Sequence, residues 1–237
     1  MAPPLDHKPQ ERTGAIGALA STLIPLSAGK RLLVGIDGVD GAGKTTLADD
    51  LASALHAINA RPVLRVSLDD FHHQRNIRYR LGRHSPEGYW LDSFNLDQFK
   101  AFVLNPLTAN ATTVRIRGHD LESDEILDPE PVPVAADVIV VVDGLFLHRE
   151  ELRSYWDYSV FLDVPFDVTV RRMERRDGTP VDHPSHGRYV GAQRLYFAAA
   201  DPAMKASLIL DNSQERVVRA LAPDEVSYKA IFSYKAM

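Results

Sequence analysis

The 237-residue sequence predicts an α/β fold: a parallel sheet with helices on both faces and a small lid near residues 175–190. Three observations predict it. Arg31 to Asp37, RLLVGID, has the continuous apolar centre of a parallel strand covered on both sides. It runs into a glycine-rich turn and then a segment in which Leu47, Leu51, Leu55 and Ile58 recur at helical spacing, with Asp49, Asp50 and Ser53 on other faces. Beyond it, strand-like and helix-like patterns alternate through most of the chain, the order that builds a parallel sheet from right-handed crossovers.

The elements follow in order. Residues 1–29 read as a mobile tail to about Thr13 and a short amphipathic helix. Ile16, Leu19, Ala20, Leu23 and Ile24 have helical spacing that Pro25 ends, and the polar, mixed-charge MAPPLDHKPQERTG before them argues against a signal peptide. Residues 30–237 read as a single domain. After RLLVGID and its helix, Pro62–Ser67 (PVLRVS) is a second strand, and Thr113–Arg117 (TVRIR) alternates as a less buried one. Pro129, Pro131 and Pro133 mark an extended connection into Asp137–Val142 (DVIVVV), a central strand. Tyr158–Val164 and Ser207–Leu210 complete the sheet. Helical patterns lie near Leu96–Leu104, Arg149–Tyr155, Phe166–Arg176 and Val190–Ala200.

Composition narrows the function. With 45% hydrophobic and 25% charged residues the chain is an ordinary soluble type, long enough for one sizeable core. A net charge of −5 argues against a nucleic-acid-coating surface. Cysteine is absent, so there is no disulfide framework, thiolate nucleophile or Cys-based zinc site, which suits a cytoplasmic location. No apolar run approaches transmembrane length, so neither nucleic acid nor membrane is an expected partner.

The turn after the first strand carries the chemistry. Gly38 to Thr45 fits G-x-x-x-x-G-K-[ST], the phosphate loop in which backbone N–H groups cradle phosphates, lysine reaches the β- and γ-phosphates and a hydroxyl binds magnesium. Gly38, Val39, Asp40, Gly41, Ala42, Gly43, Lys44, Thr45 and Thr46 are the expected nucleotide-binding set, at a helix N-terminus whose free N–H groups and dipole favour an anion. In a doubly wound sheet, ligands collect at the carboxyl ends of strands. Asp37, Asp40, Asp69, Asp70 and Asp143 all fall there, although a carboxylate so placed also caps a following helix. Asp143 stands where a Walker-B carboxylate would, which makes Thr45 and Asp143 the expected magnesium ligands. No Asn-Lys pair occurs, which removes the usual guanine-reading segment of a GTPase. SLDDFHH offers Asp69 as a base, with Phe71 and His72 as pocket residues. Arg171, Arg172, Arg175 and Arg176 share one helix and make either a solvated face or the cations of a lid closing over a transferring phosphate. His84, His148 and His183 read as surface or loop residues.

Together GIDGVDGAGKTT, SLDDFHH, YWLDSFNLDQF, VVVDGLFL and FLDVPFDVTVRRMERRD resemble the uridine kinase and phosphoribulokinase family of phosphate-loop kinases, which includes bacterial pantothenate kinase. The resemblance runs from about Leu32 to Asn212 and implies the P-loop NTPase fold. It also implies an ATP- and magnesium-dependent kinase that phosphorylates a hydroxyl of a small nucleoside- or sugar-like acceptor, and a possible homo-oligomer. It makes Asp69 the hydroxyl base, Lys44, Arg172 and Arg175 the catalytic cations, and Asp92 a sugar-hydroxyl ligand. His72, Tyr89, His119 and Asp120 fall on the acceptor side. Three departures stand out: Asp143 replaces a glutamate, His72 a tyrosine, and TPVDHPSHGRY an Glu-Arg-Gly-Arg lid segment. All lie outside the nucleotide loop, so the kinase class is implied more firmly than uridine. A pantothenate- or sugar-type kinase, or a regulatory NTPase, are the alternatives.

Overall fold

A computed structural model describes residues 5, 7–58, 61–178, 180 and 182–229. The elements that position the site are β1 (Gln10–Glu11), α1 (Arg12–Leu23), β2 (Leu32–Gly38), α2 (Lys44–Ile58), β3 (Val63–Ser67), α3 (Pro86–Asp92) and β4 (Ile139–Asp143). They continue with β5 (Tyr158–Asp163), α4 (Phe166–Asp177), α5 (Ser185–Ala200), β6 (Leu208–Asp211) and β7 (Val217–Ala220).

The main sheet runs β1-β7-β6-β5-β2-β4-β3. From β6 to β3 every pairing is parallel, and β7 and β1 are added antiparallel at one edge. β2 is central and all seven of its residues are buried, as its unbroken apolar run requires. Register aligns the functional ends: Ile36 of β2 and Ser67 of β3 both sit opposite Asp143 of β4. The carboxylates that follow these strands are thereby gathered at one edge. Leu47, Leu51 and Leu55 of α2 are buried, and α2 packs on β2, β3 and β4.

Five details depart from the sequence expectations. Gln10 and Glu11, expected in a mobile tail, pair with Val218 and Val217, so the ordered chain starts before α1. Thr113–Arg117 is not a strand of the main sheet; only Thr113 and Val114 pair, with Pro133 and Val132, in a separate two-stranded ribbon. Arg149–Tyr155 is not a helix but a loop ending in a single 3₁₀ turn at Arg153–Tyr155, in which Arg149 pairs with Glu151 at 2.8 Å and lies 4.4 Å from the Trp90 ring. Leu96–Leu104 is helical as expected, but as one short α turn, capped by the Asn95 side-chain oxygen Oδ1 accepting from Gln98 N–H at 3.1 Å, followed by a π turn. Helix α3, unexpected from the pattern, starts at a Ser85 cap with Pro86 in its first turn, and the Ser85 hydroxyl accepts from Gly88 N–H at 3.0 Å.

Helix α1 buries Ala15, Ile16, Leu19, Ala20 and Leu23 and packs against α2, the helix that carries the phosphate loop. Leu23 is fully buried. Leu23→Ala should therefore cost about 2–5 kcal/mol, the usual toll for emptying a leucine site in a core. Equilibrium denaturant unfolding of the full chain measures it, and a loss below that range would mean α1 is not part of the cooperative unit.

Candidate active site

The phosphate loop is held open by neighbours on three elements. Gly41 and Gly43 take φ of +73° and +88°, the left-handed region that only glycine enters without strain. A Cβ on Gly43 would sit 2.9 Å from the Asn212 side-chain nitrogen, so this glycine is also where a neighbour approaches closely. Asn212, just beyond β6, donates from Nδ2 to the Ala42 carbonyl at 2.7 Å. Its Oδ1 accepts from Arg12 Nη1 at 2.7 Å, and Arg12 also reaches Asp50 of α2 at 3.1 Å. Arg172 of α4 donates to the carbonyls of Asn212 at 2.8 Å and Gly41 at 3.4 Å. Lys44 Nζ curls back onto the Val39 carbonyl at 2.9 Å.

Beneath the loop lies a buried polar cluster. Asp37 Oδ2 accepts from the Tyr196 hydroxyl and lies 2.6 Å from His148 Nδ1, whose Nε2 is 2.9 Å from Ser159 Oγ. His148, read from sequence as a surface or loop residue, is therefore fully interior. No spacing in the sequence links it to Asp37, because the contact forms only between the ends of β2 and β4. Burial pushes the Tyr196 phenol well above its usual range, with the Asp37 charge acting in the same direction.

Thr45 donates its hydroxyl to Asp143 Oδ2 at 2.6 Å. The other carboxylate oxygen of Asp143 meets Arg65 Nη2 at 3.1 Å, and Arg65 also holds Asp49 at 2.9 Å. Arg65 gave no signal in PVLRVS beyond interrupting an apolar run.

Two cavities flank the loop. One, of about 560 Å³, has Asp40, Lys44, Asp69, His72, Tyr89 and Arg188 on its walls. The other, of about 510 Å³, is bordered by Gly41, Arg172, Arg175, Asn212 and Glu215. Gly43, Thr46 and Arg176 border both. The structure thus brings Asp40, Lys44, Thr45, Asp69, His72 and Tyr89 to one space, and puts Arg172 and Arg175 on the other. Arg175 pairs with Glu215 at 3.4 Å on the surface. Arg176, with Met173 and Asp177 at i−3 and i+1, is the arginine of that helix that faces both cavities.

Asp92, His119 and Asp120 do not line either cavity. Asp92 is buried and clasped by Arg80 through two bonds at 2.7 and 2.8 Å. His119 Nε2 lies 3.3 Å from Asp124, and Asp120 accepts the backbone N–H groups of Glu122 and Ser123 in a tight turn.

The carboxylates of the first cavity are tuned. Burial raises the Asp40 carboxyl, Lys44 opposes this and Asp69 adds to it; Asp40 also accepts from the Tyr89 hydroxyl at 3.2 Å and from Gln193 at 2.6 Å. Asp69 is raised for the same reason, with Lys44 opposing and Asp143 adding. The residue is nevertheless exposed on the cavity side of the turn. The Asp69 carbonyl accepts from His72 Nδ1 at 2.7 Å, which makes Nδ1 the protonated nitrogen and leaves Nε2 basic. Burial lowers that imidazole to about 4, with Arg78 and His119 acting in the same direction and Asp40 against it.

Known proteins share this architecture. A family profile described as an AAA domain matches residues 34–191. A uridine kinase of Lactobacillus helveticus is 28% identical over 152 residues, 62% of this chain and 68% of that protein. A uridine kinase of Schizosaccharomyces pombe is 32% identical over 146 residues, and the chain spans only 31% of its length. The structure of a possible uridine kinase from Bacillus stearothermophilus superposes with a TM-score of 0.67 at 25% identity, over 82% of this chain and 96% of that one. With the phosphate loop at the carboxyl end of β2 and this match, the chain belongs to the AAA-domain family of phosphate-loop proteins. Its relatives make it, within that class, a small-molecule kinase resembling uridine kinases. Among the described residues no helix is long and apolar enough to cross a membrane.

His72 offers a pH test. Unfolded, the imidazole takes a proton near 6.5; folded, only near 4. Between those values the unfolded chain binds the extra proton, so this residue makes the fold less stable as pH falls through that window and is neutral to stability above it. The melting temperature of His72→Gln relative to the parent should be constant above pH 7 and shift in the variant's favour between about pH 6.5 and 4. A constant difference across the whole range would contradict a buried, neutral imidazole.

Proposed function

We propose that the protein transfers the γ-phosphoryl group of ATP to a hydroxyl of a small nucleoside- or sugar-like acceptor seated in the 560 Å³ cavity. One observation carries the reading: the Asp69 carboxylate and the phosphate-loop lysine face the same enclosed space. The backbone amides of Val39 to Thr46 hold the β- and γ-phosphates at the start of α2, and Lys44 exchanges its bond to the Val39 carbonyl for phosphate oxygens. The nucleoside end of ATP extends toward the 510 Å³ cavity, along Gly41, Arg172 and Asn212.

Magnesium suits the residues present. Thr45 Oγ1 and Asp143 Oδ2 are hard oxygen donors 2.6 Å apart beside the loop. The ion would take most of its other ligands from phosphate oxygens and water. The ion would neutralise charge on the β- and γ-phosphate oxygens. Arg65, on the other oxygen of Asp143, fixes that carboxylate's orientation.

The acceptor oxygen forms a bond to the γ-phosphorus, the bond from that phosphorus to the β–γ bridging oxygen breaks, and the hydroxyl proton passes to Asp69. A raised carboxyl is the better base, provided it is ionised, so turnover climbs with pH through its titration. Arg176 stands at the junction of the two cavities and faces the transferring group, in the segment over residues 175–190 read as a lid. A cytoplasmic location and self-association belong to the same proposal.

Four variants test it. Asp69→Asn keeps size and nucleotide binding but should lose at least about a hundredfold in transfer, the lower range for removing a general base. If Asp69 only caps its turn, the variant instead loses ~1 kcal/mol of stability and keeps its turnover per folded molecule. Lys44→Ala should weaken ATP binding by calorimetry and slow turnover together; undiminished binding would remove the loop from the site. Arg176→Ala should depress kcat more than Arg175→Ala, whose side chain is engaged at the surface by Glu215. ADP release stimulated by small alcohols, compared with release in their absence, separates a kinase from a slow regulatory NTPase.

A further inference from the structure

Among the described residues, one cation of the acceptor cavity has no counterpart. Arg188, near the start of α5, is 8% exposed and borders the cavity. Its Nε is buried with no hydrogen-bond partner, and no carboxylate among the described residues pairs with its guanidinium. It rests instead among three phenol rings, with its guanidinium carbon 4.6 Å from the Tyr89 centroid, 5.2 Å from Tyr79 and 5.8 Å from Tyr189. The other cations of the cavity differ. Arg176 meets Asp177 at 2.6 Å, Arg78 meets Asp124 at 3.3 Å, and Lys44 lies in the field of Asp40 and Asp69.

Ring faces attract a cation but do not replace the hydration it gave up, and buried charges in proteins are ordinarily paired. The other face of Tyr79's surroundings sharpens the problem, since Arg78 also sits 5.4 Å from that ring and its own Nε is likewise buried without a partner. Three guanidiniums, those of Arg78, Arg83 and Arg188, lie over this one ring, and the Asp124 carboxylate that pairs with Arg78 is shared with His119. A neutral acceptor offers hydrogen-bond acceptors but leaves that excess charge in place. A planar fork of donors suits a carboxylate or phosphate oxygen pair.

We propose that the acceptor is itself an anion, carrying a carboxylate or phosphate monoester that Arg188 binds in the cavity it shares with Asp69. The inference rests on the kinase reading above and adds the charge of the substrate to it. The charged group is distinct from the hydroxyl that receives the phosphoryl group.

Matched pairs test it: ribose with ribose 5-phosphate, uridine with uridine 5′-monophosphate, and glycerol with glycerate. For each, ADP release gives kcat/KM, and calorimetry with the protein and magnesium-ADP gives binding without turnover. The charged member of at least one pair should be favoured about ten- to a hundredfold, the range of one charge-assisted hydrogen bond. Preference within the first two pairs identifies a phosphate, and preference within the third a carboxylate. Arg188→Gln should erase that preference by weakening the charged member alone, and Arg188→Lys should keep part of it; melting curves show that both variants fold. Equal or better use of every neutral member, a preference that survives in Arg188→Gln, or no charged member binding at all would overturn the inference. If charged members bind through Arg188 yet stimulate no ADP release, the charge inference stands and the kinase reading falls. If neutral members stimulate release and charged ones do not bind, the reverse holds.

Discussion

A phosphate loop presents its N–H groups inward and so leaves its carbonyls without the partners a regular element would provide. The whole active region depends on how that deficit is met. Here the Ala42 carbonyl is taken by Asn212, Gly41's by Arg172, and Val39's by Lys44. These partners come from beyond β6, from α4 and from the loop itself, and Arg12 ties Asn212 in turn to the N-terminal helix. The glycines make this possible, because any side chain at Gly43 would occupy the place of the Asn212 amide. Loop shape is therefore a property of four separated stretches of sequence.

That dependence divides the surroundings into two chemically different spaces. On the α4 and β6 side the cations are engaged by backbone carbonyls or by surface carboxylates. On the other side, acidic groups are crowded together and raised, and aromatic rings enclose an arginine. A site for a nucleotide needs the first kind of environment; a site that deprotonates a hydroxyl needs the second. Arg176 is the cationic side chain that, with Thr46, borders both.

The central sheet was legible because its strands are buried on both faces and so carry unbroken apolar runs: RLLVGID and DVIVVV fall within a residue or two of β2 and β4. The nucleotide loop was legible because its chemistry is local, all of it within one turn. Elements with other determinants were not. TVRIR alternates like a strand, yet it has only the Pro-rich connection to pair with, and β1 is too short to leave a pattern. For the same reason the acceptor side was read unevenly. Asp69 and Tyr89 line one cavity with Lys44, whereas Asp92 is clasped by Arg80, twelve residues earlier in a loop whose course no periodicity reveals. Arg188 lay inside a segment noted only for departing from a motif, and what distinguishes it, a missing carboxylate, is visible only in three dimensions.

The two residues of β1 have a further effect. They cover part of β7, which would otherwise offer its free N–H and C=O groups along one border of the sheet. A sheet border open to solvent is a template on which another chain adds a strand, and proteins commonly blunt it with a very short strand that offers little to extend. Gln10 and Glu11 are such a strand, and the chain turns straight from them into α1, with the Arg12 N–H making a last backbone bond to the Arg216 carbonyl at 2.9 Å. Covered in this way, that part of β7 is closed to edge-to-edge pairing with a strand of another chain.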